Sequence, residues 1–226
     1  GHRLTTLPPD RRPGRRPPRA ATLRRVDAAV VGFDLDMTLL DTRAGIAATY
    51  RELSARTGVW VDAELAVSRL GPPLQEEIAQ WFPPERVAAA VRLFRELYPS
   101  YAIRRAVPLP GAREALRAVA DAGGSVIVVT SKLGRLAELH LRHAGLTVDR
   151  VFGDRFGPGK VAALREAGVR VYVGDHTADV RAARAAGAVA VGVATGSHSP
   201  ADLRAAGADA VLPDLREFPG WLAEMG

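Results

Sequence analysis

The strongest constraint on this chain is a rhythm, in which strand-length apolar runs alternate with amphipathic segments from residue 28 onward. Candidate strands lie at 28–33, 125–130, 169–173, 189–193 and 210–212, and helical periodicity fills 111–122, 133–144, 160–167 and 177–186. Several of the helical segments run into glycine, as at Gly187 and Gly207, where a left-handed cap is wanted. Strands separated by helices imply βαβ crossovers and therefore a parallel sheet. Ligands of such sheets bind beyond the carboxyl ends of the strands, so the residue after each strand is the first to inspect.

One stretch breaks the rhythm. Residues 43–106 carry helical patterns at 43–57, 62–70, 74–82 and 84–98, punctuated by Gly71-Pro72-Pro73 and Pro83-Pro84, and contain no strand signal. The alternation resumes through Pro108-Leu109-Pro110-Gly111. The expected architecture is an α/β, Rossmann-like parallel sheet built from 26–42 and 107–226, with an α-helical cap of residues 43–106 inserted. Its hinges are expected near 41–43 and 106–110. Trp60, Trp81, Phe82, Phe94, Tyr98 and Tyr101 are expected to form the cap's core and its packing on the sheet domain. The Gly71–Gln75 loop is expected to face the site and to help choose the substrate.

Composition enters through charge. The net charge of +6 resides in residues 1–25, which hold eight arginines, one aspartate and five prolines, a net of +7; the other 201 residues sum to −1. Such a tail buries too little surface to offset ordering entropy, so disorder is expected there. Gly1-His2 reads as an expression scar. The arginine pairs of the tail lack the apolar run that twin-arginine export needs, and the longest apolar stretches fall far short of the ~20 residues of a membrane span. No membrane partner is expected, and a nucleic-acid partner only through the tail. The chain has no cysteine; that removes thiol catalysis and cysteine-ligated metals, and it agrees with a cytoplasmic setting.

The strand ends carry the chemistry. Asp34 and Asp36 follow the first strand in GFDLDMTLLD, spaced so that two carboxylates can share a pocket as nucleophile and acid/base. Thr130 ends the second strand in VIVVT, Lys160 lies in FGPGKVAAL, and Asp175 and Asp179 follow another strand in YVGDHTAD. Asp34, Asp36 and Asp175 make a hard-oxygen set suited to Mg²⁺, while Thr130 and Lys160 complement phosphoryl oxygens. Lys132 and Lys160 are the only lysines of the chain; a compact point charge kept among arginines suggests a specific task, and Lys132 is a candidate contact for a substrate anion. GPGKV is no P-loop, because Asp154 and Val161 stand where glycine and Ser/Thr are required. His140 and His143 share a helix face without a third ligand, so no zinc site is expected.

DLDMT, VVTSK, Lys160 and GDHTAD, in this order, resemble the four motifs of the haloacid dehalogenase superfamily, in particular its phosphoglycolate phosphatase-like branch with a helical cap. The resemblance spans about 200 residues and implies a Mg²⁺-dependent phosphatase of a small phosphomonoester. It implies that Asp34 attacks phosphorus and that Asp36 serves as acid and then base. It further implies that Thr130, with Ser131 and Lys132, contacts the phosphoryl group or substrate, and that Lys160 steadies both the phosphoryl group and Asp34. Metal is expected at Asp34, the backbone carbonyl of Asp36, and Asp175, with Asp179 adjacent. Met37 replaces the family's usual glycine, so an ordinary L-residue conformation is expected there; His176 replaces a common threonine. A sugar phosphomutase uses the same kit, and a pyrophosphatase or nucleotidase is a further alternative. A phospho-receiver domain is disfavoured, since its phosphoacceptor follows the third strand and it has no cap.

Overall fold

The computed structural model describes residues 29–225; the arginine–proline tail and Ala28 lie outside the described residues. The chain opens with β1 (Val30–Phe33) and a tight turn to β2 (Leu40–Asp41). Four helices follow: α1 (Arg43–Thr57), α2 (Ala63–Ser68), α3 (Leu74–Ile78) and α4 (Pro84–Tyr101). A short 3₁₀ turn at Ile103–Arg105 leads to β3 (Val107–Pro108). The alternation then runs α5 (Ala112–Asp121), β4 (Ser125–Val129), α6 (Gly134–Ala144), β5 (Arg150–Phe152), α7 (Pro158–Glu166), β6 (Val169–Gly174), α8 (Thr177–Ala186), β7 (Val189–Val193), α9 (Pro200–Ala205), β8 (Ala210–Leu212) and α10 (Phe218–Met225).

Six of these strands form one parallel sheet in the order β5-β4-β1-β6-β7-β8. From β1 the chain builds outward through β4 and β5, then returns across β1 to β6, β7 and β8. The order reverses at β1, so the loops after β1, β4 and β6 splay apart into a crevice there. Alternation within the strands splits the core in two. Val31 and Phe33 join Leu116, Val128, Leu141 and Phe218 on one face, while Ile127, Tyr172, Leu164 and Val180 pack on the other.

The helical segment between β2 and β3 has a hydrophobic cluster of its own, including Ile46, Tyr50, Leu53, Ile78, Phe94 and Tyr98. The two crossings into and out of it are not separate linkers. β2 and β3 pair antiparallel, Leu40 with Pro108 and Asp41 with Val107, which ties the segment's entry to its exit.

Several local expectations are corrected. Helix α4 continues past Pro99 to Tyr101; a proline in the last turn removes one donor, and the Ala102 N–H still closes on the Tyr98 carbonyl at 2.8 Å. Strand β5, at the sheet edge, had no signal as a strand because only three residues pair. Helices α2 and α3 are shorter than their periodicity predicts. Trp60 is exposed rather than core, resting edge-on against Trp81 at 5.9 Å. Among the described residues, no helix is long and apolar enough to cross a membrane.

Candidate active site

The backbone fixes the first carboxylate before any side chain acts. The N–H of Asp34, the first residue beyond β1, donates to the Val173 carbonyl of β6 at 2.8 Å. Its side chain is buried at the switch point. Lys160, in the first turn of α7, points an ammonium at Asp34 Oδ1 (3.0 Å) and Asp179 Oδ1 (2.5 Å). Asp179 sits in the first turn of α8 and also accepts the His176 N–H at 3.2 Å, while the Ala178 N–H donates to His176 Nδ1 at 3.0 Å. His176 thus caps α8 through its ring, supplying the acceptor expected of an N-cap side chain.

Asp175, directly after β6, accepts the Thr38 hydroxyl at 2.9 Å. Two glycines leave room for these carboxylates. A Cβ at Gly174 would lie 2.5 Å from Asp179, and one at Gly196 would lie 1.8 Å from Asp175 Oδ2.

Crowding sets the charge state. Burial first, and the Asp179 and Asp36 carboxylates next, push Asp34 up to about 7 against the pull of Lys160. Burial first, then the Asp34 and Asp179 carboxylates, hold Asp175 well above the usual carboxylate range. For Lys160 burial works against the charge, but Asp179 and Asp34 outweigh it and keep the amine protonated.

Asp36 faces a different set of groups. Burial would raise its carboxyl, but the Lys132 ammonium at 2.8 Å and the Thr42 hydroxyl at 2.5 Å hold it below the usual range. Lys132 also donates to the Tyr98 hydroxyl at 2.7 Å, and that hydroxyl meets His140 Nε2 at 2.9 Å. Tyr98 belongs to α4, so this chain of contacts joins the helical segment to the sheet. Thr42 stands at the N-cap of α1, yet makes no side-chain cap bond; its hydroxyl goes to Asp36 instead. His140 is buried with Nδ1 unpartnered, and burial lowers it to about 3, so the ring is neutral. The candidate metal-binding group that the described residues bring together is made of carboxylates, without histidine.

The expectation for Met37 is overturned. Its φ is +59°, the left-handed conformation that glycine would adopt freely. The turn holds it there: its N–H donates to the Leu40 carbonyl at 2.8 Å, and its own carbonyl accepts the Thr195 hydroxyl at 2.5 Å.

A cavity of about 110 Å³ opens onto these groups, lined by Asp34, Asp36, Lys132, Lys160, Asp175 and Asp179 among others. Of the β4 loop, Ser131 and Lys132 line it. Thr130 is buried and is not among the lining residues; its hydroxyl accepts the Lys132 N–H at 3.2 Å. The Gly71 loop closes one side. Gly71 packs against His176, and its carbonyl accepts the Ser131 hydroxyl at 3.3 Å. Sequence reasoning assigned no role to Thr38, Thr42 or Gly196. Thr38 alone had a visible signal, as the last residue of DLDMT; Tyr98 was read only as packing.

The donor set fits a hard divalent cation. Asp34, Asp175 and Asp179 each offer an oxygen, all within 4.8 Å of one another. With Asp36, Lys132 and Lys160 included, the ionised site keeps two negative charges without a partner, the charge of one such ion.

Known proteins resemble this chain in sequence and in fold. The sequence matches the family model of haloacid dehalogenase-like hydrolases over residues 31–184. It is 31% identical over 214 residues to "Probable phosphatase IndB" of Dickeya dadantii, covering 84% of this chain and 92% of the relative. It is 28% identical over 220 residues to a phosphoglycolate phosphatase of Caulobacter vibrioides, covering 88% and 92%. The fold resembles a haloacid dehalogenase-like family protein of Streptococcus pneumoniae with a TM-score of 0.76 at 21% identity, covering 87% of this chain and 99% of that one.

Proposed function

This chain belongs to the haloacid dehalogenase-like hydrolase family, and from that premise we propose that it is a Mg²⁺-dependent phosphatase of a small phosphomonoester. The observation that carries this reading is the buried group of Asp34, Asp175 and Asp179 with Lys160 on two of them. Three carboxylates crowded against one ammonium are suited to a metal ion and a phosphoryl group, not to packing. The names of the relatives, a probable phosphatase and a phosphoglycolate phosphatase, support the same chemistry.

In this reading Mg²⁺ is held by Asp34 and Asp175, with the Asp36 carbonyl and Asp179 beside them. When bound, it neutralises and orients the phosphoryl oxygens. Asp34, aligned by Lys160, attacks phosphorus as the bond to the substrate's alcohol breaks, leaving an aspartyl-phosphate. Asp36 protonates the departing alcohol. Because Lys132 and Thr42 keep Asp36 ionised at rest, that proton arrives with the substrate, whose monoester titrates at about 6. Asp36, again a carboxylate, then takes a proton from the water that attacks phosphorus and frees Asp34. The helical segment serves as a cap that keeps water out during the first step.

Hydrolysis of p-nitrophenyl phosphate with Mg²⁺ tests this reading. We expect Asp34→Asn to lower kcat by about 10³-fold or more; a variant as fast as the parent removes the mechanism.

A further inference from the structure

Taking the phosphatase reading as given, we infer that the substrate's leaving group is small, uncharged and largely hydrocarbon. Away from the carboxylates the cleft wall is made by Ile46, Tyr50, Phe94 and Leu136, all buried, and by half-buried Leu70 and Leu74. Tyr50 adds one hydroxyl, kept neutral by burial and by the Glu77 carboxylate.

The cations on the cleft are already engaged. Lys160 is shared by Asp34 and Asp179, and Lys132 is paired with Asp36 at 2.8 Å. Arg69 is gripped by both oxygens of Glu77, at 2.5 and 3.1 Å. Arg95 is half-buried and faces the Asp154 carboxylate at 3.9 Å. Glu77 itself lines the cavity. A second anionic group on the substrate, whether carboxylate or phosphate, would lose its hydration beside hydrocarbon and find no cation without a carboxylate already beside it. An alkyl group loses nothing there and leaves water. The cavity of about 110 Å³ is smaller than the roughly 150 Å³ space that holds a benzene, so a few carbons suffice.

The test compares kcat/KM for isobutyl phosphate and 2-phosphoglycolate in the presence of Mg²⁺. The two are close in size, and both leave as unactivated primary alcohols; one carries an isopropyl group where the other carries a carboxylate. We expect isobutyl phosphate to be favoured by at least about tenfold. Leu74→Arg, at a half-buried wall position, should move that ratio toward phosphoglycolate by a similar factor. Equal or faster turnover of phosphoglycolate by the parent overturns the inference. If Arg95→Ala then abolishes that turnover, the leaving group is an anion seated on Arg95. Turnover of p-nitrophenyl phosphate without the isobutyl preference overturns the inference alone, whereas inertness toward all three substrates overturns the phosphatase reading with it.

Discussion

The two lysines of this chain anchor two charge clusters on one cleft, and the clusters are built on opposite principles. Around Lys160 every member comes from the sheet domain, and three buried carboxylates outnumber one ammonium. Around Lys132 a single carboxylate meets a single ammonium, and the remaining partners, Thr42, Tyr98 and His140, are neutral. The first cluster is underfilled with positive charge and therefore suited to an ion and a phosphoryl group. The second is balanced and holds one carboxyl in a defined state. It also draws on the helical segment through Tyr98, so the surroundings of Asp36 are coupled to the position of α4, whereas those of Asp34 are not.

The sharpest way to break this comparison is to delete each ammonium. Lys160→Met leaves Asp34 and Asp179 facing one another without their shared partner, and should cost about 3–5 kcal/mol in urea unfolding. Saturating Mg²⁺ should recover part of that loss. Lys132→Met should cost less, because its one carboxylate partner, Asp36, can keep the Thr42 hydrogen bond, and Mg²⁺ should recover none of it. Equal losses with equal Mg²⁺ rescue would dissolve the distinction.

Chelator treatment should separate the clusters by pH. Asp34, lifted from 3.8 to about 7, and Asp175, also lifted, bind more protons in the folded than in the unfolded state across that interval. The metal-free parent should therefore lose more stability than Asp34→Asn as pH rises from about 4 to 7, the lowered His140 and His176 sloping the opposite way in both, and added Mg²⁺ should raise Tm more at about pH 7.5 than at pH 5. The depressed Asp36 has the opposite slope. Its contribution is complete above its unfolded value of 3.8 and is lost as pH falls through the lower folded value. A chelated Tm with the same pH dependence in the parent and in Asp34→Asn would contradict the crowding of Asp34.

The smallest effect belongs to Tyr98→Phe, which removes one acceptor from Lys132 and the partner of His140. About 1 kcal/mol of stability and a several-fold fall in kcat are expected, with the Mg²⁺ requirement unchanged. A shift in Mg²⁺ affinity would mean that the two clusters are one.

How much of this was legible in the sequence depends on how locally each feature is encoded. The parallel sheet was readable because β1, β4 and β7 are apolar runs bounded by turns and β6 breaks its run only at Arg170. The three residues of β5 and the two-residue pairing of β2 with β3 were not, because pairing at that length is imposed by neighbouring chain and leaves no periodicity. At the site, Asp34, Asp36, Asp175 and Lys160 stood out by position after strands or by motif. Tyr98 did not: its place on the apolar stripe of α4 is what a packing residue shows, and only the fold brings its hydroxyl to Lys132, 34 residues away. Met37 shows the limit from the other side. Residue type argued for an ordinary backbone, while the hydrogen bonds to Leu40 and Thr195 keep it left-handed, at a cost of about 1–2 kcal/mol.

In the proposed mechanism Asp34 becomes phosphorylated during turnover. Acid quenching of the Mg²⁺-loaded enzyme in mid-turnover, followed by peptide mass spectrometry, tests it directly. One hydroxylamine-labile phosphoryl group is expected on the peptide containing Asp34, absent from Asp34→Asn. Steady turnover with that peptide unmodified, or a phosphoryl group carried on another residue, would contradict it.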